Sequence, residues 1–267
     1  MDPSIEVVSA VPEVAKAAHQ GGIHVALAAE KIGMLWGIPI TNTLLMSWIV
    51  MAILITLAWA VGRNPKLIPS RVQILLEEVI TFIQNFVSET LENETVAKKY
   101  LPLLITLFLF IATANLIEFT PGIGSLGFYE EGGEFVPLLR SMNTDLNVTL
   151  ALTMIVFITI EFAGIMALGF FKYMGKFLNF SSPMNFVVGI IEFISELSRL
   201  VSFSFRLFGN IFAGEILIAV ATFFLPYFLP IPLMGFEMFI GFVQAAVFSL
   251  LTLFFIKLAI TDPHEAH

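Results

Sequence analysis

An arginine lies in the middle of an apolar stretch of this 267-residue chain. Arg206 belongs to the run SFRLFGNIFAGE, and the surrounding pattern predicts a helix embedded in a membrane. A guanidinium group stays protonated at any biological pH, so this charge cannot be removed by loss of a proton. Placing it at bilayer depth costs about 3 kcal/mol on insertion scales. We therefore expect either an acidic partner or a function in ion transport to compensate the charge.

Polar side chains share one face of the helix predicted around the arginine. Ser202, Arg206 and Asn210 are spaced four residues apart, which places them on the same side. Glu192 precedes the arginine by fourteen residues, almost four turns, and returns close to that face. Glu215 follows nine residues later, about 13 Å further along the axis. One helix thus combines a permanent positive charge with titratable carboxylates.

The last predicted helix carries a second pair of polar residues. Glu237 and Gln244 are seven residues apart and therefore lie on one face. A short proline-containing turn separates this helix from the helix of Arg206, so the two helices are expected to pack antiparallel. That packing would bring Glu215 near Glu237 and Arg206 near Gln244.

A third group of polar residues lies near the outer end of the second predicted span. Asn115 and Glu118 are in this position, so Glu118, Glu215 and Glu237 are expected to cluster in the external half of the protein. Chains of acids inside a membrane form access paths for protons or cations. A structural interpretation stays open, because intramembrane amides often only join helices and an arginine can simply neutralise a buried acid.

The composition indicates an integral membrane protein and excludes several kinds of chemistry. Hydrophobic residues make up 58% of the chain and charged residues 13%, compared with about 25% charged residues in soluble domains. There is no cysteine, which excludes disulfides and thiolate metal sites. All four histidines lie near the two ends of the chain, and no phosphate-binding loop motif is present. We therefore predict no cofactor and no metal, and the net charge of −8 does not favour nucleic-acid binding.

The hydrophobic pattern predicts an all-α membrane protein with five membrane-embedded helices and an amphipathic helix on the cytoplasmic surface. The predicted spans are about 43–61, 100–119, 144–171, 185–224 and 233–260, and the amphipathic helix covers about 69–94. Residues 1–42 are predicted to form an external segment, 43–262 a single membrane domain and 263–267 a cytoplasmic tail. An ordinary connecting helix is equally compatible with the pattern at 69–94.

Basic residues directly after the first span predict the orientation. Arg63, Lys66 and Arg71 follow this span, so the positive-inside rule places that end in the cytoplasm and the N-terminus outside. Five spans then leave the C-terminus in the cytoplasm. The sequence thus predicts a multi-pass membrane protein with this orientation.

The run RLFGNIFAGEILI at 206–218 resembles the signature of subunit a of F-type ATP synthases. The segments 115–118 (NLIE) and 145–149 (DLNVT) resemble two further motifs of that family, in the same order and spacing. The resemblance covers roughly residues 40–262 and is carried by these three segments together. The first 40 residues carry none of it.

Single positions in the helices also match the family pattern, and one departs from it. Glu192 occupies the acidic position upstream of the arginine, and Gln244 matches the glutamine of the last helix. Some bacterial members have a histidine seven residues before that glutamine, whereas this chain has Glu237. The outer path of this chain would therefore contain facing carboxylates in place of an acid and an imidazole.

The resemblance implies a stator subunit of a proton-translocating two-sector ATPase. Such a subunit is not catalytic on its own. Its last two helices would form a long, tilted hairpin against the rotating c-ring. The implied partners are c-ring subunits, a b-type peripheral stalk, the catalytic head and the transported ion, a proton or sodium. The implied location is the inner membrane of a bacterium. Arg206 would separate two half-channels and interact with a ring carboxylate. The implied path residues are Glu215, Glu237, Glu118 and Asn115 on the outer side, Glu192 and Ser202 on the inner side, and Asn210 and Gln244 beside the arginine.

Two other classes of protein remain as alternatives. A secondary cation/proton antiporter also uses carboxylates and an arginine at mid-membrane, but such carriers usually have more spans and often inverted repeats. A purely structural membrane scaffold would need the polar residues only for helix packing. Copurification with a ring of small hairpin subunits and an ATPase head separates the first interpretation from both alternatives.

Overall fold

The computed structural model describes residues 29–35, 38–63, 71–120, 123, 126–129, 135–177, 183–226 and 228–261. Within these residues the helices are α1 (Asn42–Gly62), α2 (Arg71–Leu91), α3 (Glu94–Ile117), α4 (Leu146–Leu168), α5 (Phe170–Phe177), α6 (Pro183–Phe224) and α7 (Pro230–Ile260). Five of them, α1, α3, α4, α6 and α7, are long and apolar enough to cross a membrane. The predicted all-α membrane fold is thereby confirmed. The four histidines, residues 1–28 and residues 262–267 lie outside the described residues.

Side chains and prolines mark where the membrane helices begin. The Thr41 hydroxyl accepts a hydrogen bond from the amide of Leu44 and caps α1. The Asn93 side chain caps α3, and Asp145 caps α4 by accepting a hydrogen bond from the amide of Asn147. Proline is the first residue of both α6 and α7, where its missing N–H costs nothing. Local sequence therefore fixes the start of each of these helices.

The helix at the predicted third span is shorter than expected. The sequence predicted a span over 144–171, but α4 ends at Leu168 and Gly169 takes φ +83°. Residues other than glycine rarely adopt this backbone conformation, so the chain turns here and a separate helix, α5, begins at Phe170. The apolar run continues across the break without a proline, which is why the pattern alone did not indicate α5.

Helices α6 and α7 form a long hairpin. The 42 residues of α6 correspond to about 63 Å, twice the thickness of the hydrocarbon core. Helix α7 packs against α3, α4 and α6, and α2 packs against α3. The buried core lies between α3, α4, α6 and α7 and includes Leu104, Ile111, Val156, Phe203, Leu207, Phe248, Leu253 and Ile256. The arginine helix is thus held on one side by the rest of the chain.

Two small antiparallel hairpins accompany the helices and were not predicted. Strand β1 (Lys31–Leu35) pairs with β2 (Ile38–Thr41), which leads directly into α1. Strand β3 (Gly127–Tyr129) pairs with β4 (Phe135–Pro137), a few residues before the 3₁₀ turn Met142–Thr144. The second hairpin returns the chain towards the ends of α3 and α6, and this return places the segment 138–145 beside the polar residues of the membrane helices.

Candidate functional site

The three acids predicted to cluster do lie together, and an arginine joins them. The Arg140 Nη2 lies 3.2 Å from the Glu215 Oε2, and only 7% of the Arg140 side chain is exposed. Glu118, at the end of α3, is within electrostatic range of Glu215, Glu237 and Arg140. Ser141 lies beside the Glu118 carboxyl group. We refer to Glu118, Arg140, Glu215 and Glu237 as the outer cluster.

The buried carboxyl group of Glu237 occupies space that a glycine leaves open. Glu237 is 5% exposed, and a Cβ atom built at Gly214 on α6 would overlap its carboxyl carbon and both of its oxygens. Gly214 directly precedes Glu215, so the contact brings the acids of α6 and α7 together as the sequence suggested. Within the described residues, Glu237 Oε1 and Glu118 Oε2 are buried and have no hydrogen-bond partner.

Asn115 is the centre of a buried amide network that joins three elements. Its Nδ2 donates to the carbonyl of Gly241 on α7 at 2.8 Å, and its Oδ1 accepts from the Nδ2 of Asn143 at 2.6 Å. Asn115 is 1% exposed and Asn143 is fully buried. The Asp145 carboxylate accepts from the hydroxyl of Thr43 on α1 at 3.0 Å. These bonds fix the loop before α4 against the start of α1, the end of α3 and the first half of α7.

We expect the substitution Asn115→Leu to destabilise the protein by about 1–3 kcal/mol for each polar group left unpaired. The amide of Asn143 and the carbonyl of Gly241 would lose their partner while remaining buried. Thermal unfolding of the purified complex measures the effect. The matched control is Thr106→Val on the same helix, because this exposed hydroxyl bonds only a carbonyl of its own helix. Equal melting temperatures for the two variants would contradict the prediction.

Arg206 lies on an exposed face of α6. Its Nη2 donates to the Ser202 Oγ at 3.4 Å, and both side chains are exposed. Among the residues that the structure describes, no carboxylate lies within ion-pair distance of Arg206. The structural alternative requires an acid that Arg206 neutralises. The described part of the chain contains no acid in that position.

The amide pair beside the arginine differs from the expected arrangement. Asn210 Nδ2 donates to the Gln244 Oε1 at 2.6 Å. No hydrogen bond joins Gln244 to Arg206 between these two described side chains. Gln244 is therefore anchored to the residue one turn beyond the arginine, and Arg206 itself is oriented by Ser202. The expected role of Gln244 beside Arg206 remains a prediction.

A second cluster of charged residues surrounds the first half of α6. Lys176 Nζ on α5 lies 2.7 Å from a carboxylate oxygen of Glu192 and 3.0 Å from one of Glu196. Arg199 Nη1 contacts the other oxygen of Glu196 at 2.9 Å, and Glu196 is 5% exposed. The sequence interpretation selected Glu192 and Ser202 for this side. Glu196 was not selected. The signal that could have indicated it is its position one helical turn after Glu192.

A tyrosine and a further acid complete this cluster. The Tyr173 hydroxyl on α5 donates to Glu161 Oε2 on α4 at 3.0 Å. Burial, and then the neighbouring Glu161 carboxylate, raise the pKa of the Tyr173 hydroxyl well above its usual value. The hydroxyl therefore stays protonated and remains a donor to Glu161. We refer to Glu161, Tyr173, Lys176, Glu192, Glu196 and Arg199 as the inner cluster.

Fold and site together define a multi-pass α-helical membrane protein with charged and hydrogen-bonding groups inside its spans. Within the described residues no group of three or more acids or histidines is arranged to hold a metal ion. The family described as ATP synthase A chain matches residues 44–257. The chain belongs to this family, which acts in ion translocation in the membrane sector of ATP synthase and associates with the rest of that complex.

Individual relatives support this assignment along most of the chain. The ATP synthase subunit a, sodium ion specific, of Propionigenium modestum is 33% identical over 238 residues, covering 88% of this chain and 79% of the relative. The subunit a of Moorella thermoacetica is 33% identical over 219 residues, with 82% and 90% covered. That of Campylobacter jejuni is 34% identical over 222 residues, with 82% and 89% covered. The residues that match the family, 44–257, contain both clusters and nearly all of the membrane helices.

Proposed function

We propose that this chain is a stator subunit that delivers protons to a rotating c-ring and couples their flow to rotation. The observation that carries the proposal is the exposure of Arg206 on a membrane-spanning helix, with no acid among the described residues at ion-pair distance. A permanent cation in this position attracts the ionised carboxylate of a ring subunit and favours loss of its proton. Because the guanidinium releases no proton, it also blocks direct flow between the two sides.

The outer half-channel of the proposal uses the outer cluster and the amide network. Glu118 and Glu237 each have a buried carboxylate oxygen without a hydrogen-bond partner in the described part of the chain. Glu215 is held by Arg140, and Asn115 fixes α3 against α7. A proton entering from outside would pass between these carboxylates towards the ring. The N-terminus would lie outside and the C-terminus in the cytoplasm of a bacterial cell.

The peripheral stalk of b type and the catalytic head are the remaining proposed partners. They would hold this chain still while the ring turns, and the long hairpin of α6 and α7 would follow the ring surface. An antiporter would act without these partners. Copurification of the chain with ring subunits and an ATPase head therefore separates the two functions, and isolation of an active chain free of both would favour the antiporter.

Cross-linking from single cysteines tests the contact with the ring, since the chain has no cysteine of its own. Ala213 is exposed and lies seven residues after Arg206, on the same face of α6. We expect Ala213→Cys to cross-link to a cysteine introduced one turn from the ring carboxylate. The control is Ile158→Cys, on the exposed side of α4. Equal yields from both positions, or none from Ala213→Cys, would overturn the proposed contact.

The transported ion is proposed to be the proton, and transport in vesicles tests this choice. The name of the Propionigenium modestum relative states sodium specificity, so the assay must separate the two ions. The complete complex in sealed vesicles should acidify the lumen on addition of ATP in sodium-free buffer. If ATP instead drives uptake of labelled sodium and acidification is absent, the proposed ion is wrong while the contact with the ring is unaffected.

A further inference from the structure

A groove opens between α4, α5 and α6 beside the inner cluster. Its volume is about 490 Å³, and its lining includes Phe157, Glu161, Phe177, Phe193, Glu196 and Leu197. The walls are otherwise aromatic and aliphatic, so the two carboxylates provide the charge of this groove. Glu192 does not belong to the lining, although it shares the Lys176 ammonium group with Glu196. The acid chosen from the sequence and the acids that line the groove are therefore different residues.

A second, small cavity lies on the other side of Glu196. It measures about 10 Å³, close to the volume that one water molecule requires, and Thr153, Arg199 and Phe203 contribute to its walls. Glu196 lines both this cavity and the groove. Arg199 precedes Arg206 by seven residues and lies on the same face of the helix. Glu196 is thus common to both spaces, and Arg199 lines the small cavity and shares a helix face with Arg206.

The two carboxylates of the groove have different partners. Glu196 is held by Lys176 at 3.0 Å and by Arg199 at 2.9 Å, which ties α5 to α6. Glu161 accepts one hydrogen bond from Tyr173, while its Oε1 is buried without a hydrogen-bond partner within the described residues. A free carboxylate oxygen can accept a proton, whereas a carboxylate whose two oxygens each contact a cation is suited to fix their positions.

We propose that the cytoplasmic half-channel runs through this groove, with Glu161 as its proton acceptor and Glu196 as the positioning residue. The inference rests on the proposed function and specifies the inner path. A proton that leaves the ring carboxylic acid passes to water near Arg199 and then forms an O–H bond with Glu161. Glu161 subsequently releases it to water in the groove, so one proton enters and one leaves. The charged or titratable groups facing Glu161 are Tyr173 and Lys176 on α5 and Glu196 and Arg199 on α6.

Proton pumping by the whole complex in vesicles, measured against cytoplasmic pH, tests the inference. Glu161→Gln keeps the shape of the side chain but removes the acceptor, so we expect a flux about a hundredfold lower, the size of a lost acid–base group, and a weaker dependence on pH. Glu196→Gln should also lower the flux, and Glu196→Asp should restore part of it. The matched control is Glu89→Gln, which removes an exposed carboxylate of α2 outside the groove.

Other outcomes identify where the inference fails. Normal flux and pH dependence in Glu161→Gln would overturn it. If Glu192→Gln lowers the proton flux and Glu161→Gln does not, the path lies beside Glu192 and not in the groove. The amount of assembled complex and the ATP hydrolysis rate of its head show whether a variant folds. If Glu161→Gln fails to assemble, Tyr173→Phe keeps the carboxylate but removes its donor, and an unchanged pH profile in that variant overturns the inference. The proposed function itself is tested by a different result: if a variant of Arg206 pumps protons normally, the proposed function is wrong.

Discussion

Replacing Arg206 by glutamine is expected to abolish ATP-driven proton pumping while the complex remains assembled. Glutamine still donates a hydrogen bond to Ser202 but carries no charge. Two opposite charges about 4 Å apart attract each other by about 4 kcal/mol at the effective dielectric of a protein surface. Loss of this attraction corresponds to about a thousandfold in the release of protons from the ring carboxylate. Acidification of vesicles on addition of ATP measures the effect.

The passive proton leak of the same vesicles distinguishes two roles of the arginine. If Arg206 only attracts the ring carboxylate, Arg206→Gln stops pumping without a leak. If it also separates the half-channels, the variant leaks protons down an imposed gradient. Arg206→Lys retains a charge but can lose its proton, so we expect a leak smaller than that of the glutamine variant and weak pumping.

The matched control replaces another exposed arginine. Arg63 follows the end of α1, where its guanidinium lies 4.9 Å from the ring centre of Trp59. Arg63→Gln should pump at the rate of the unmodified complex. Normal pumping by Arg206→Gln would mean that the arginine is structural, and it would remove the basis of the proposed function.

The sequence predicted the membrane fold because its signals are local. Long apolar runs, prolines and capping residues determine where helices begin, and each lies within a few residues of the helix it affects. The exception was α5, which depends on the backbone of one glycine, Gly169. A glycine inside an apolar run is common in membrane helices, so its positive φ angle could not be read from the pattern.

The outer cluster was predicted only in part, for a related reason. Glu118, Glu215 and Glu237 lie on membrane helices, where a charge is conspicuous in the sequence. Arg140 and Asn143 belong to a connecting segment, where polar residues are ordinary. The β3–β4 hairpin and the 3₁₀ turn bring this segment against the helix ends, and such a return is a tertiary effect. A charged residue in a loop therefore gave no indication that it would be buried.

The inner cluster shows what helical spacing leaves open. Spacing returns Glu192 close to the face of Arg206, and the structure places its carboxylate beside Lys176; its role in the inner path stays a prediction. The groove, however, is formed by how α4 and α5 pack against α6, and this packing selects Glu196 and Glu161. Helical periodicity determines which residues share a face but not which face another helix covers.

The substitution Gly214→Ala is expected to lower proton pumping about a hundredfold, the cost of a catalytic group displaced by about 1 Å. The new methyl group would overlap the carboxyl group of Glu237, which is buried between α6 and α7. Either the carboxyl group moves away from Glu215 or the helices separate, and overpacking of this kind costs about 1–3 kcal/mol. Vesicle acidification and thermal unfolding of the complex measure the two consequences separately.

Two comparisons show whether the contact with Glu237 causes the loss. Gly235→Ala on α7 adds a methyl group where no atom lies within 4 Å, so it should leave pumping unchanged and gain about 1 kcal/mol in helix propensity. In the double variant, Glu237→Asp shortens the acid by one methylene group and makes room for the methyl group at position 214. Pumping should therefore recover in part relative to Gly214→Ala alone. If the two substitutions instead combine additively, their side chains do not interact, and the position of Glu237 against Gly214 does not control the outer path.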